Sequence, residues 1–206
     1  STSSKSRVSH MQAGDFYASE QSALMDSAKM LSIEFVGADG TQQTLASDIA
    51  VDLNEVVDAA MMSKQALCAF FEEQIAATEP GTLFSLHLKA TMMKVSDPII
   101  FGHVVEVFFE NVFEKYAEEF RELKINPNNG LRDLFSALES LPEDKRDQIK
   151  RDFQENLNLG PELSMVNSDE GITNLHVPSD VIIDASMPAM IRQGGKMWGS
   201  DGQLKD

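Results

Sequence analysis

Two charged residues stand where a short apolar run ends. Lys89 closes Leu83-Phe84-Ser85-Leu86-His87-Leu88, and Asp184 closes Val181-Ile182-Ile183. In open α/β sheets, ligands bind just outside the carboxyl ends of strands, so these two positions rank first for chemistry. A lysine there can face carboxylates as a cation or, once desolvated, pass a proton. An aspartate there offers a hard oxygen of the kind Mg²⁺ or Mn²⁺ prefers. Plainer roles stand beside these: Lys89 snorkelling its amine outward from a strand end, and Asp184 capping the turn before Ser186.

The remaining candidates carry weaker signals. Lys94 lies in Thr91-Met92-Met93-Lys94-Val95, a connector where exposure is the expected state. His87, His103 and His176 lack metal-ligand spacing and read as polar core or helix-surface residues. Asp180 sits at the start of an apolar run, an ordinary turn position, and Cys68 lies in a helical pattern as a small core residue. Gly194-Gly195-Lys196 lacks the other glycines of a phosphate loop and follows a helical pattern where such a loop would precede one. No nucleophile triad, zinc cluster or dinucleotide fingerprint occurs.

The elements that must position Lys89 and Asp184 follow from periodicity. Leu31-Ser32-Ile33-Glu34-Phe35-Val36 alternates apolar and polar, the pattern of a half-buried strand. Ala38-Asp39-Gly40 turns it back into a second strand over residues 41–45, completing a hairpin. Asn54 is expected to cap a helix near Glu55, with helical pattern resuming over residues 61–77 until Thr78-Glu79-Pro80-Gly81. Residues 83–88 read as a strand with Ser85, His87 and Lys89 on one face and Phe84, Leu86 and Leu88 on the other. Asp97-Pro98 opens a helix, the aspartate accepting from its free amides. That helix carries Val105, Phe108, Phe109, Val112, Tyr116 and Phe120 as a core stripe, with Glu106, Glu110, Glu114 and Glu118 facing water. Two further helices follow, one marked by Leu131, Leu134, Phe135, Leu138 and Leu141, the other running from Pro142-Glu143 to about Leu157. Strands are expected at 163–166 and 181–183, and a short helix at 187–192. Short strands alternating with long amphipathic helices indicate an α/β fold with a layered mixed sheet. Residues 1–30 are expected to form a loosely structured lead-in, and the 196–206 stretch is turn-rich and expected to stop without a closing element, as if cut from a longer chain.

Composition narrows the partners. Among 206 residues, 33 are acidic and 17 basic, giving a net charge of -16. Such a surface repels phosphate backbones and anionic lipid heads, which argues against nucleic acid and membrane partners. No apolar run approaches the ~18 residues of a membrane span. Residues 1–20 show no secretory pattern, and the single cysteine cannot pair internally, so a cytoplasmic location is expected.

Three long strings resemble the monomeric-type NADP-dependent isocitrate dehydrogenases. They are the run of residues 88–99 (LKATMMKVSDPI), the run of residues 165–192 (MVNSDEGITNLHVPSDVIIDASMPAMIR) and Gly195-Lys196-Met197-Trp198-Gly199. His10-Met11-Gln12-Ala13-Gly14-Asp15-Phe16-Tyr17 and Asn128-Asn129-Gly130 look like that family too. The resemblance implies an interior part, residues 31–206, of the large domain of a longer two-domain enzyme with its active site in the cleft. It implies hydride transfer from isocitrate to NADP and loss of CO₂ to give 2-oxoglutarate, with Mg²⁺ or Mn²⁺ as Lewis acid. Residue by residue, the family's critical lysine matches Lys89, not Lys94, and would assist proton transfer. One of its metal-binding aspartates matches Asp184.

The family's substrate-binding serine, asparagine and arginine, its other metal aspartates, its partner tyrosine and most of its NADP site have no counterpart here. The 206 residues alone are therefore expected to be catalytically silent, because a metal–tricarboxylate complex needs several fixed oxygens and cations. The full enzyme is expected to be a monomer, and the piece to self-associate through apolar surface that its neighbours normally cover. A different class remains open: a non-catalytic α/β interaction module offering its acidic face, Glu106 to Glu122, to a basic partner.

Overall fold

The computed structural model describes residues 4–89, 92–178, 188, 191–192 and 194–206. Asp180, Asp184, the expected strand at 181–183 and most of the expected helix at 187–192 lie outside the described residues. The chain divides into two compact units, Met11–Ala66 and the pair of segments Ser1–His10 and Leu67–Asp206.

Residues 16–30, assigned from sequence to a loose lead-in, carry regular structure. The Met11–Ala66 unit contains helix α1 (Phe16–Ser19) and strands β1 (Gln21–Leu24), β2 (Lys29–Val36), β3 (Gln42–Val51) and β4 (Val56–Ala59). Strands β1 and β4 pair antiparallel, and β2 and β3 form the expected hairpin, longer than the sequence pattern marked. Its turn closes by Gly37 N–H donating to Thr41 O at 2.8 Å, with Gly40 at φ 82, a left-handed position that suits glycine. Asn54 does not cap a helix. Its φ of 66 places it in a turn, its N–H donates to Met25 O at 2.9 Å, and a strand follows. The turn between β3 and β4, tied back to Met25 beyond β1, claims the polar groups that a helix start would have used.

The second unit is mainly helical. Helix α2 (Lys64–Ala76) enters it, followed by α3 (Ser96–Phe108), α4 (Glu110–Lys115) and α5 (Ala117–Glu122). The single long helix expected over this region is broken at Phe109 and Tyr116, whose dihedrals leave the helical region (φ -112 and -115). A four-residue repeat drifts around a straight helix of 3.6 residues per turn, and the two breaks interrupt that drift. All six stripe residues, from Val105 to Phe120, are buried.

After a 3₁₀ turn (Pro127–Asn129) come α6 (Leu131–Leu138) and α7 (Glu143–Leu159). Leu131, Leu134 and Leu138 of α6 and Ile149 and Phe153 of α7 complete the core. Phe153 is its hub, meeting Phe109 at 5.0 Å between ring centroids and Phe135 at 5.3 Å, with Phe113 and Phe120 beyond. Tyr116, though buried, keeps its hydroxyl satisfied by donating to Asp152 at 2.7 Å.

The strand expected at 83–88 is an extended segment bridged only at Phe84, parallel to Leu163. Phe84 N–H donates to Glu162 O and Ser164 N–H to Phe84 O, at 2.8 and 3.0 Å. Beyond Phe84 the backbone is claimed by side chains, so no ladder continues. Two small hairpins follow, β5 (Met165–Asn167) with β6 (Ile172–Thr173) and β7 (Met197–Trp198) with β8 (Leu204–Lys205). The 196–206 stretch therefore ends on a hairpin, with Lys205 Nζ at 2.8 Å from Glu162 Oε2 and Leu83 N–H donating to Asp206 O at 2.7 Å. The other end of the chain reaches the same place: Ser6 Oγ donates to Gly195 O at 2.8 Å. Helices and strands mix as an α/β class requires. The sheets among the described residues are four separate antiparallel pairs.

Two outcomes test this core. Phe153→Ala should destabilise the chain by about 3–5 kcal/mol, read from the urea midpoint, because four ring contacts and the burial of a large side chain vanish together. The Lys115 ammonium beside Asp152 holds that carboxyl below its usual value, helped by the Tyr116 hydroxyl. The stability this contributes is present above the unfolded carboxylate pKa of ~3.9 and is lost as pH falls through the lower folded value. Asp152→Asn should therefore flatten the acid limb of a stability–pH curve.

Candidate functional site

Lys89 is half-buried at the end of the extended segment, whereas Lys94 is exposed. What holds Lys89 is Asp97, in the first turn of α3. The Lys89 amide donates to Asp97 Oδ2 at 2.7 Å, and Ser96 Oγ donates to Asp97 Oδ1 at 3.0 Å. The Lys89 carbonyl accepts from the amides of Met92 and Met93, at 2.9 and 2.8 Å. The amide of the lysine is thereby fixed to the start of α3 and its carbonyl to the connector just before it. Asp97 is only 9% exposed, and its negative charge at a helix N-terminus is favoured by the helix dipole. The sequence marks Asp97 as a cap for its own helix. Instead α3 starts at Ser96 with no side-chain cap, and the carboxylate serves the lysine upstream. The pairing of acid and proline signals a helix start, while the partner lies across an irregular connector that no periodicity describes.

The same segment is also tied to residues 164–176. Asn174 Nδ2 donates to Leu86 O at 3.0 Å and to Ser85 Oγ at 3.2 Å, and Ser164 Oγ donates to Ser85 Oγ at 2.8 Å. Ser85 Oγ, which accepts both of these bonds, also lies 2.8 Å from His87 Nε2. Burial pushes His87 below the ordinary imidazole pKa, in keeping with a neutral ring. Ser85 and His87 do share a side of the segment, as their spacing predicts, although no sheet sets the alternation. Ser164 and Asn174, both buried, are not singled out by the sequence; two small polar residues among apolar neighbours give no periodic signal.

Residues 173–178 lead toward Asp184 and rest on the start of α6. Leu131 N–H donates to Leu175 O at 3.2 Å and Arg132 N–H to His176 O at 2.9 Å, so two free helix amides are satisfied by this segment. His176 Nδ1 accepts from Thr173 N–H at 3.0 Å, and burial lowers its pKa. It is a structural histidine, as expected, and His103 is a helix-surface residue 3.2 Å from Glu106. Gly130 has φ 82, and a Cβ there would stand 2.4 Å from His176 O. Glycine is required for the approach.

The structure thus joins the segment carrying Lys89 to the one leading toward Asp184, through Asn174. Asp184 itself lies outside the described residues. Among the described residues no group of three or more His, Cys, Asp or Glu could hold a metal ion. None of the described helices is long and apolar enough to cross a membrane. The acidic residues Glu106, Glu110 and Glu114 line an open groove of about 540 Å³ together with Cys68, Glu72 and Phe113.

These elements make a mixed α/β segment in which Lys89, its backbone held on both sides, sits at the end of an extended run. The monomeric isocitrate dehydrogenase family matches across residues 1–206, and the chain belongs to that family. It is 52% identical to a protein named NADP isocitrate dehydrogenase 2 from Mycobacterium tuberculosis, and 51% to one of the same name from Colwellia maris. It is 50% identical to the NADP isocitrate dehydrogenase of Azotobacter vinelandii. Each alignment covers the whole of this chain and 28% of the relative, so the chain spans little more than a quarter of their length.

Removing the carboxylate in Asp97→Ala leaves the Lys89 amide without its acceptor and should cost about 1–3 kcal/mol. Hydrogen exchange at the Lys89 amide should speed up in Asp97→Ala and stay close to the parent rate in Asp97→Asn, which keeps an acceptor oxygen. Equal exchange in all three proteins would remove the clamp.

Proposed function

We propose that this chain is an interior segment of the large domain of an NADP-dependent isocitrate dehydrogenase. The complete enzyme would oxidise isocitrate with NADP and decarboxylate the product to 2-oxoglutarate, acting as a cytoplasmic monomer with no nucleic-acid partner. A layered sheet would form in that large domain once the rest of the chain is present. The observation that carries the reading is the match over all 206 residues, with Lys89 in the family's string and held through both its backbone groups.

In this reading Lys89 acts at the substrate. Its ammonium faces the oxygen that gains charge as the hydroxyl-bearing carbon becomes a carbonyl and then an enolate, and the same nitrogen passes a proton toward that site. Fixing the backbone matters because a long flexible amine reaches a defined point only from a defined root. Asp184 would offer one oxygen to Mg²⁺ or Mn²⁺, whose Lewis acidity, when bound, stabilises the developing enolate. No described residue is assigned to NADP. The 206-residue chain alone supplies one cation and one carboxylate where three substrate carboxylates and a hexacoordinate metal need several of each, so it is inactive.

The acidic groove on α3 and α4 supports the second reading, a non-catalytic module that docks a basic partner. Two assays test the first reading. The purified chain, given isocitrate, NADP and Mn²⁺, should form no NADPH; turnover would overturn the inactive-segment reading. In the complete enzyme Lys89→Met should lower kcat by about 10²–10⁴-fold with the fold retained by circular dichroism, whereas Lys94→Met should leave it within about twofold. Full activity in Lys89→Met would remove Lys89 from the chemistry, and a complete protein that forms no NADPH would favour the module.

A further inference from the structure

The Met11–Ala66 unit has almost no interior: Val51 is its only buried apolar residue among the described residues. Its larger ribbon, β2 with β3, nevertheless carries an unbroken apolar row on one face of β2. Alternate residues of a strand share a face, so Leu31, Ile33 and Phe35 stand together, opposite Ile49, Ala46 and Gln43 on the partner strand. The other face mixes Ser32 and Glu34 with Met30 and Val36, and there Thr44 Oγ1 donates across the ribbon to Glu34 at 2.9 Å. The register shifts twice beside Ile33, where extra residues are taken up in β3 near Asp48, whose φ is 58. Those bulges leave Leu31, Ile33 and Phe35 in one row.

Most of that row is bare. Leu31 is half-buried, but Ile33 is 52% and Phe35 53% exposed, although their alternation is the pattern of a strand with one buried face. An isolated two-stranded ribbon is marginal in water, and an apolar row on one is a contact surface awaiting its cover. Three covers are available: other residues of this chain, a second copy, or more of the same polypeptide. The described residues of the Met11–Ala66 unit leave Ile33 and Phe35 open. A second copy conflicts with a monomeric enzyme. The relatives, by contrast, are so long that this chain covers only 28% of one of them, so ample chain exists to cover the row.

We propose that the Leu31–Ile33–Phe35 face of the β2–β3 ribbon is an intramolecular docking surface, covered in the complete enzyme by a part of its own chain outside residues 1–206. The inference rests on the reading that the whole enzyme is a monomer. The covering surface is apolar and flat, a helix or sheet face without a charge opposite Ile33 or Phe35, because a charge buried there would find no partner on the ribbon. The arm is therefore held by long-range packing and is the first element to detach when that packing is lost.

Side-chain labelling tests this. Phe35→Cys and, on the other face, Thr44→Cys are introduced separately into the complete enzyme and into the 206-residue chain. Maleimide modification of each site is then followed by peptide mass spectrometry, which separates the introduced thiol from any native one. In the complete enzyme the thiol introduced at position 35 should react at least about tenfold more slowly than the one at position 44, while in the 206-residue chain at low concentration the two should react alike. Equal rates in the complete enzyme would overturn the proposal even if the short chain fails to fold. Sedimentation of the same samples separates the alternatives. Protection of position 35 only in a dimer of the complete enzyme would assign the face to a second copy and refute the monomer reading. Protection in a sedimenting monomer would support both.

Discussion

A backbone that leaves its sheet must still satisfy its polar groups. Beyond Phe84 the extended segment that ends at Lys89 has no neighbouring strand among the described residues, and side chains take over the role of a ladder. Asn174 reaches the Leu86 carbonyl and Asp97 the Lys89 amide, at 3.0 and 2.7 Å. These two bonds determine where the lysine starts and tie it to two helices through different routes. Asp97 belongs to α3, and the segment around Asn174 is seated on the first amides of α6. The aromatic core around Phe153 of α7, which meets Phe109 at the end of α3 and Phe135 of α6, then fixes those helices relative to one another. The site's geometry thus descends from packing at Phe153 to two amide contacts to one amine.

Sequence and structure agree on the buried helical stripe and on the first hairpin. The stripe from Val105 to Phe120 is buried throughout, because apolar burial selects those positions regardless of how the helix is segmented. The hairpin at β2 and β3 is legible from alternation and from the Asp39-Gly40 turn. What alternation does not encode is whether a partner is present. Residues 83–88 alternate like a strand but pair only at Phe84, and residues 31–35 alternate like a covered strand but lie open. A pattern records the environment for which a segment was selected, and a chain with little more than a quarter of its relatives' length does not supply all of it.

The candidate site is legible in its charged members and illegible in its supports. Lys89 and Asp184 stand at the ends of apolar runs, and the long strings around them resemble one family. Asp97, Ser164 and Asn174 act through single hydrogen bonds to partners distant in sequence, and nothing in local composition distinguishes such residues from ordinary turn or surface residues. Asp97 is ambiguous because the same two letters, aspartate and proline, mark both a helix start and an acid available to a neighbouring loop.

The meeting of Ser6 with Gly195 and of Leu83 with Asp206 has a consequence for how the helical unit is made. Both contacts close very long loops, and the entropy of closure is met before either contact contributes. A ribosome emits the chain from one end, so the helices from α2 to α7 emerge and collapse on their aromatic row while the Ser6 and Leu83 sites stay vacant. The unit is sealed only after the last hairpin has left the exit tunnel. Until then the extended segment that carries Lys89 lacks the Asp206 contact at its start, and the nascent protein passes through a stage with its core formed and this end of its site unsecured.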